Sequence, residues 1–222
     1  MPILVGGQSA EQVDQVSSIS NKLPLAMGIL AVTTWMTLFL MTGSVVLPLK
    51  ALIMNVMTIS ATFGILVLIF QDGRLEGPLD YTSQGALEST QPVFLFAVAF
   101  GLSTDYAVLL LTRIKEARDA GANDREAVAL GIQRTGRIVT AAALLFAIAI
   151  GSFATSEIIF IKELGVGTAL AVLIDATIVR AFLVPSLMAL LGHRNWWAPQ
   201  WLRRVHDRIG VSEGDPETVE RA

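Results

Sequence analysis

Two ionisable residues, Asp105 and Tyr106, stand side by side within residues 92–112, a run that is otherwise apolar and uncharged. A run of that length can cross a bilayer, and an ionisable side chain at membrane depth is costly enough to suggest a function. A carboxylate can take up and release a proton, and a tyrosine hydroxyl can donate a hydrogen bond to it. The chemistry that this pair offers is proton transfer. The alternative is that Asp105 is a structural polar residue.

The two side chains cannot easily complete each other. Neighbouring residues on an α-helix point about 100° apart. Tyr106 should therefore face a partner on another helix, and Asp105 needs a different hydroxyl. Ser103 and Thr104 are local candidates. Tyr81, the only other tyrosine, lies in a predicted loop.

A second pair of charges, Asp175 and Arg180, occupies the last apolar run. Residues five apart do not form a good helical ion pair, since favourable pairs lie three or four apart. Arg180 lies nearer the predicted cytoplasmic end and is expected to reach toward it. A structural clamp and a part in proton coupling are both open for this pair.

The composition indicates a multi-span membrane protein. Hydrophobic residues make up 53% of the 222-residue chain, charged residues only 16%, and the mean hydropathy is +0.62. Soluble domains carry about a quarter charged residues. Cysteine is absent, which excludes disulfides and thiolate metal sites, and both histidines, His193 and His206, lie near the C-terminus. We therefore expect no metal and no cofactor.

Five apolar runs predict an all-α integral membrane protein, a bundle of five transmembrane helices. Runs this long without alternation cannot be barrel strands. The runs are residues 23–43, 51–71, 92–112, 138–156 and 164–192. Eleven Lys and Arg flank them on one side and three on the other, which predicts a plasma-membrane protein with its N-terminus outside and its C-terminus cytoplasmic.

The segments between and after the spans have their own signals. Asn123 and Glu126 form a capping-box pattern that predicts a short cytoplasmic helix near residues 124–135, ended by Gly136. Residues 193–222 begin with tryptophans among arginines, which is typical of an interfacial anchor, and end in a polar tail predicted to be disordered.

Small residues recur every four positions and predict tight helix packing. Ala97 and Gly101 share a stripe with Asp105, and Gly167 and Ala171 share one with Asp175. Both aspartates are therefore expected to face the bundle. A polar face on the second run is expected to make interhelical hydrogen bonds; its members are Asn55, Thr58 and Thr62.

The chain resembles the MMPL family of the resistance–nodulation–division (RND) superfamily over nearly its whole length. As an ordered set the shared motifs are specific. They are Val5-Gly6-Gly7 with Ala10 and Asp14; Leu23-Pro24-Leu25; Gly101-Leu102-Ser103-Thr104-Asp105-Tyr106; Arg113 with Glu116-Ala117-Arg118; Thr135-Gly136-Arg137 with Thr140-Ala141-Ala142-Ala143; Asp175-Ala176-Thr177 with Val179-Arg180; Leu183-Val184-Pro185; and Trp196-Trp197-Ala198-Pro199 with Trp201.

The resemblance implies a role in transport. Family members have twelve spanning helices in two pseudo-symmetric halves, each with an external porter domain, and export lipids or other hydrophobic compounds with proton influx. Aspartate–tyrosine pairs on the central helix of each half relay the protons, so Asp105 and Tyr106 correspond to one pair. The five runs resemble the eighth to twelfth helices, and residues 1–22 a remnant of the second porter domain. A complementary half, or a homo-oligomer, is the implied partner, in addition to the bilayer and a lipid substrate; no nucleic acid is implied.

Two other functions remain open at this stage. The chain is a non-transporting scaffold subunit or inactive remnant if substitution of Asp105 has no effect on transport. An intramembrane aspartyl protease using Asp105 and Asp175 is disfavoured, because the Gly-x-Gly of residues 165–167 is followed by Thr168 and not by aspartate.

Overall fold

The structure is a computed structural model, and it describes residues 7–209; the predicted disordered tail lies outside that range. Its regular elements are all helical in this part of the chain. They are α1 (Gln8–Thr42), α2 (Val46–Leu66, extended by a π-helical turn Val67–Gln71), α3 (Glu76–Leu79), α4 (Gln91–Asp119), α5 (Asp124–Gly151), α6 (Ile159–Ile174), a π-helical segment (Asp175–Leu183), α7 (Val184–Leu191) and α8 (Gln200–Ile209). Two 3-10 helices, Ser152–Thr155 and Gly192–Trp196, follow α5 and α7.

Within residues 7–209, five helices are long and apolar enough to cross a membrane, which confirms the predicted class. The candidate spans are Val13–Thr42, Val46–Gln71, Gln91–Asp119, Asp124–Thr155 and Ile159–Trp196. Each is longer than the apolar run that predicted it, because helices continue past the hydrocarbon core into polar sequence. Helix α1 in particular begins at Gln8, so residues 8–22 are already helical.

The start of α5 contains one confirmed and one wrong prediction. Asn123 accepts from the backbone N–H of Glu126, and the Glu126 side chain accepts from the N–H of Asn123, so the capping box is formed. Gly136, however, does not end a short helix, since α5 runs unbroken from Asp124 to Gly151. A glycine inside a helix costs only about 1 kcal/mol, which the packing of a long span outweighs.

Helix α4 lies at the centre and packs against α1, α2, α5 and α6. Gly167 permits one of the close approaches, because a Cβ there would lie 2.8 Å from Leu66 Cδ1. Ala171 is buried, as the spacing predicts. The stripe of Ala97 and Gly101 is different: both are exposed, and a Cβ at Gly101 would meet nothing within 4 Å. That stripe faces away from the other helices of this chain, contrary to the packing prediction.

The last span changes helical type at its middle. Residues Asp175–Leu183 form a π-helix between α6 and α7. Pro185 stands just after it, and a proline lacks the N–H for the carbonyl four residues earlier and clashes with that carbonyl in an α-helix. The wider turns of the π-helix make room for the Pro185 ring and its missing hydrogen bond. π-Helical turns are rare and frequently lie at functional sites.

Candidate functional site

Asp175 and Arg180 form a buried ion pair, which corrects the expectation that residues five apart do not pair well on a helix. Arg180 Nε lies 2.7 Å from Asp175 Oδ2, and their side chains are only 8% and 7% exposed. Residues five apart lie about 140° apart on an α-helix, but a π-helix closes i→i+5 turns and stacks them. Arg180 therefore points into the bundle and does not reach toward the cytoplasmic end.

Ser103 joins this ion pair to α4. Its backbone carbonyl accepts from Arg180 Nη2 at 2.6 Å, and its Oγ lies 2.8 Å from Asp175 Oδ1. Helix α2 contributes Asn55, whose side-chain amide lies 2.6 Å from the same Oγ. Three spanning helices thus meet at one polar cluster, made of Ser103, Asn55, Asp175 and Arg180.

The hydrogen count in this cluster allows two arrangements. A hydroxyl carries one hydrogen, so Ser103 donates to only one neighbour at a time. If the Asn55 NH₂ group faces Ser103, the serine is free to donate to ionised Asp175. If Asp175 holds a proton, it donates to Ser103, and Ser103 donates to the Asn55 carbonyl oxygen. The cluster can therefore exchange one hydrogen-bond pattern for the other by turning an amide and a hydroxyl.

Tyr106 lies on the same cluster through its ring. The Arg180 guanidinium carbon is 5.1 Å from the ring centroid, within cation–π range. The prediction that Tyr106 faces a partner on another helix is confirmed. Thr104 is nearby, with its Oγ1 3.4 Å from the Asn55 amide nitrogen.

Asp105 stands apart from the cluster. It is the central residue of the 29-residue helix α4, and it is exposed on the stripe of Ala97 and Gly101. The expectation that both aspartates face the bundle is therefore right for Asp175 and wrong for Asp105. The four-residue spacing correctly placed Asp105 on one face of α4 with Gly101. Spacing does not say whether the other described helices pack against that face.

The polar face of α2 is only partly an interhelical one. Asn55 bonds across to α4, as predicted. Thr62, by contrast, donates to the carbonyl of Thr58 in its own helix at 2.8 Å, and the buried Thr58 hydroxyl has no hydrogen-bond partner in the described chain.

Sequence reasoning missed a second polar junction near the end of the last span. Asn195 is buried, and its side-chain NH₂ donates to the carbonyls of Met188 at 2.8 Å and Gly192 at 2.7 Å. Its amide oxygen accepts from Lys50 Nζ, and its backbone carbonyl accepts from Ser44 Oγ at 2.5 Å. The only sequence signal was Lys50, a lysine near the start of an apolar helix.

This architecture defines a polytopic membrane protein with a polar, charged cluster at the meeting point of its spans. The MMPL family model matches residues 1–211, and the chain belongs to that family.

Several named proteins are similar in sequence to this chain. A putative membrane protein of Streptomyces coelicolor is 45% identical over 97% of this chain and 30% of its own length. The trehalose monomycolate exporter MmpL3 of Mycolicibacterium smegmatis is 45% identical over 95% of this chain and 21% of its own. The mycolic acid-containing lipids exporter MmpL11 of the same organism is 39% identical over 96% of this chain and 22% of its own. The chain thus spans less than a third of the length of these relatives.

Proposed function

We propose that this chain is one part of a proton-driven exporter of lipids or other hydrophobic compounds, in which Asp105 and Tyr106 form one half of a proton relay. The observation that carries the proposal is the position of Asp105, exposed at the centre of a spanning helix. A charge at the bilayer centre costs about 3 kcal/mol on insertion scales, so the exposed stripe of α4 calls for a polar partner and not for lipid.

The neighbouring cluster supports proton coupling. Tyr106 follows Asp105 in sequence and contacts Arg180, so the exposed carboxylate and the buried ion pair lie on adjacent faces of α4. A change in charge at Asp105 alters the field at Arg180, and the cluster has the two hydrogen-bond arrangements described above. The partner is a complementary transporter half or a second copy of the chain. Lipid cargo is inferred from the printed names of MmpL3 and MmpL11.

Replacing the relay carboxylate tests the proposal directly. Asp105→Asn keeps the size of the side chain and replaces the ionisable carboxyl with a neutral amide. In any assembly that contains this chain, we expect proton-driven export to fall to background while the protein remains in the membrane. Export is measured with a labelled lipid in cells or in proteoliposomes carrying an imposed pH gradient.

Asp119→Asn is the matched control, because it makes the same change at the exposed end of the same helix. Full export by Asp105→Asn would contradict the relay. It would favour the second function, a scaffold subunit that does not transport.

A further inference from the structure

A small cavity inside the bundle joins the two polar junctions. The Asp175–Arg180 pair lies at one end with Ser103 and Asn55, and Lys50 lies at the other. The volume open to the centre of a water-sized sphere is about 40 Å³. One water needs roughly 10–15 Å³ by that measure, so the cavity has room for about three.

The ends of the cavity are chemically unlike, which suits an ordered row of water. Lys50 has three N–H donors and gives one to Asn195, so two are left for water. Asp175 and Ser103 offer oxygen acceptors at the opposite end. Lys50 and Asn55 are five residues apart on α2, about 7.5 Å along the axis, and hydrogen-bonded waters about 2.8 Å apart bridge that separation.

We propose that this cavity is a hydrated passage by which protons move between the Asp175 cluster and the side of the membrane where Lys50 lies. A proton added at the Asp175 end shifts one O–H bond in each water, and a different proton leaves at the Lys50 end. The role of this passage in transport rests on the proposed function. The presence of water in the cavity is independent of that function.

Silver-ion accessibility tests the hydration, and the chain contains no native cysteine to interfere. Ala51→Cys and Ala107→Cys place a thiol on opposite walls of the cavity, and Ile53→Cys places one on the outer face of α2, where Ile53 is 52% exposed. Each variant of the full chain is exposed to silver nitrate in right-side-out or inverted vesicles. Unreacted thiol is then counted with a fluorescent maleimide after unfolding.

We expect silver to block both cavity positions from the Lys50 side and to leave Ile53→Cys free. Unreactive cavity positions, equal reaction at all three, or reaction only from the opposite side would overturn the passage. These outcomes do not depend on export, so they are separate from the outcome of Asp105→Asn.

Filling the cavity tests its use. Ala107→Leu and, from the other wall, Ala51→Leu should each abolish proton-driven export, while Ala141→Leu, on an exposed site of α5, should not. Gel-filtration elution identifies the variants that keep the parent fold. If Asp105→Asn abolishes export but a folded, filled variant exports at the parental rate, protons take another route and the proposal is wrong.

Discussion

At the scale of single residues, Ser103 connects the buried ion pair to α2 and α4. Its carbonyl fixes Arg180, and its hydroxyl reaches both Asp175 and Asn55. The sequence predicted this serine only as a local hydroxyl for Asp105. Asp105, however, is exposed, whereas Ser103 is buried. The difference follows from helix geometry. Ser103 and Asp105 are two positions apart on α4, so their side chains point about 160° apart around the helix axis.

Replacing one member of the buried ion pair should lower the free energy of unfolding more than replacing both members. Arg180→Met leaves Asp175 as an uncompensated buried charge, and we expect the free energy of unfolding to fall by about 3–5 kcal/mol. Adding Asp175→Asn should restore part of that loss, since no charge is then left buried. Unfolding in mixed detergent micelles measures both, with the exposed Arg137→Met as control. If the double variant is as unstable as the sum of the single variants, the two side chains do not interact.

Tyr106 has two separable properties, its ring and its hydroxyl. Tyr106→Phe keeps the ring over Arg180, so we expect unchanged stability together with loss of proton-driven export. Tyr106→Leu removes the ring and should also lower the free energy of unfolding by about 1 kcal/mol. The same detergent unfolding and lipid export assays apply. Normal export by Tyr106→Phe would show that the hydroxyl takes no part in the relay.

At the scale of elements, the sequence predicts the number of spans and one helix start, but it does not predict where an α-helix changes to a π-helix. Five spans follow from hydropathy, and the capping box at Asn123 follows from local hydrogen-bonding chemistry. The π-helical segment Asp175–Leu183 does not follow, because the i,i+4 rule assumes 3.6 residues per turn. Without that wider turn, Asp175 and Arg180 would project to different sides of the span.

Two glycines of similar sequence context should respond oppositely to alanine. A Cβ at Gly165 would lie 2.7 Å from Phe153 Cβ and 2.9 Å from the Ile150 carbonyl oxygen, and neither atom can move without the backbone. We expect Gly165→Ala to destabilise by about 1–3 kcal/mol through overpacking. Gly101→Ala meets nothing within 4 Å and should be neutral or slightly stabilising. Thermal unfolding in one detergent compares them; equal midpoints would argue against the close contact of α6 with the end of α5.

At the scale of the whole molecule, the charged side chains of the interior cluster have partners within the bundle, and the charged side chain of the exposed α4 stripe is treated differently. The cluster around Ser103 satisfies its charges within the chain, whereas Asp105 lies on a face that the chain does not cover. The chain spans 21–30% of the length of its named relatives. The stripe could not be oriented from the sequence because none of the other described helices covers it.

The orientation of the bundle decides which way protons run, and it is directly testable. The distribution of Lys and Arg predicts that the loop between α2 and α4 is outside and that the loop between α4 and α5 is cytoplasmic. Gln84→Cys and Ala120→Cys each place one thiol at an exposed loop position of a chain that has no other. With an impermeant maleimide on intact cells, we expect Gln84→Cys to be labelled and Ala120→Cys to be labelled only after permeabilisation. The reverse pattern would invert the bundle, place Lys50 at the outer surface, and turn the proposed water passage from a proton exit into a proton entrance.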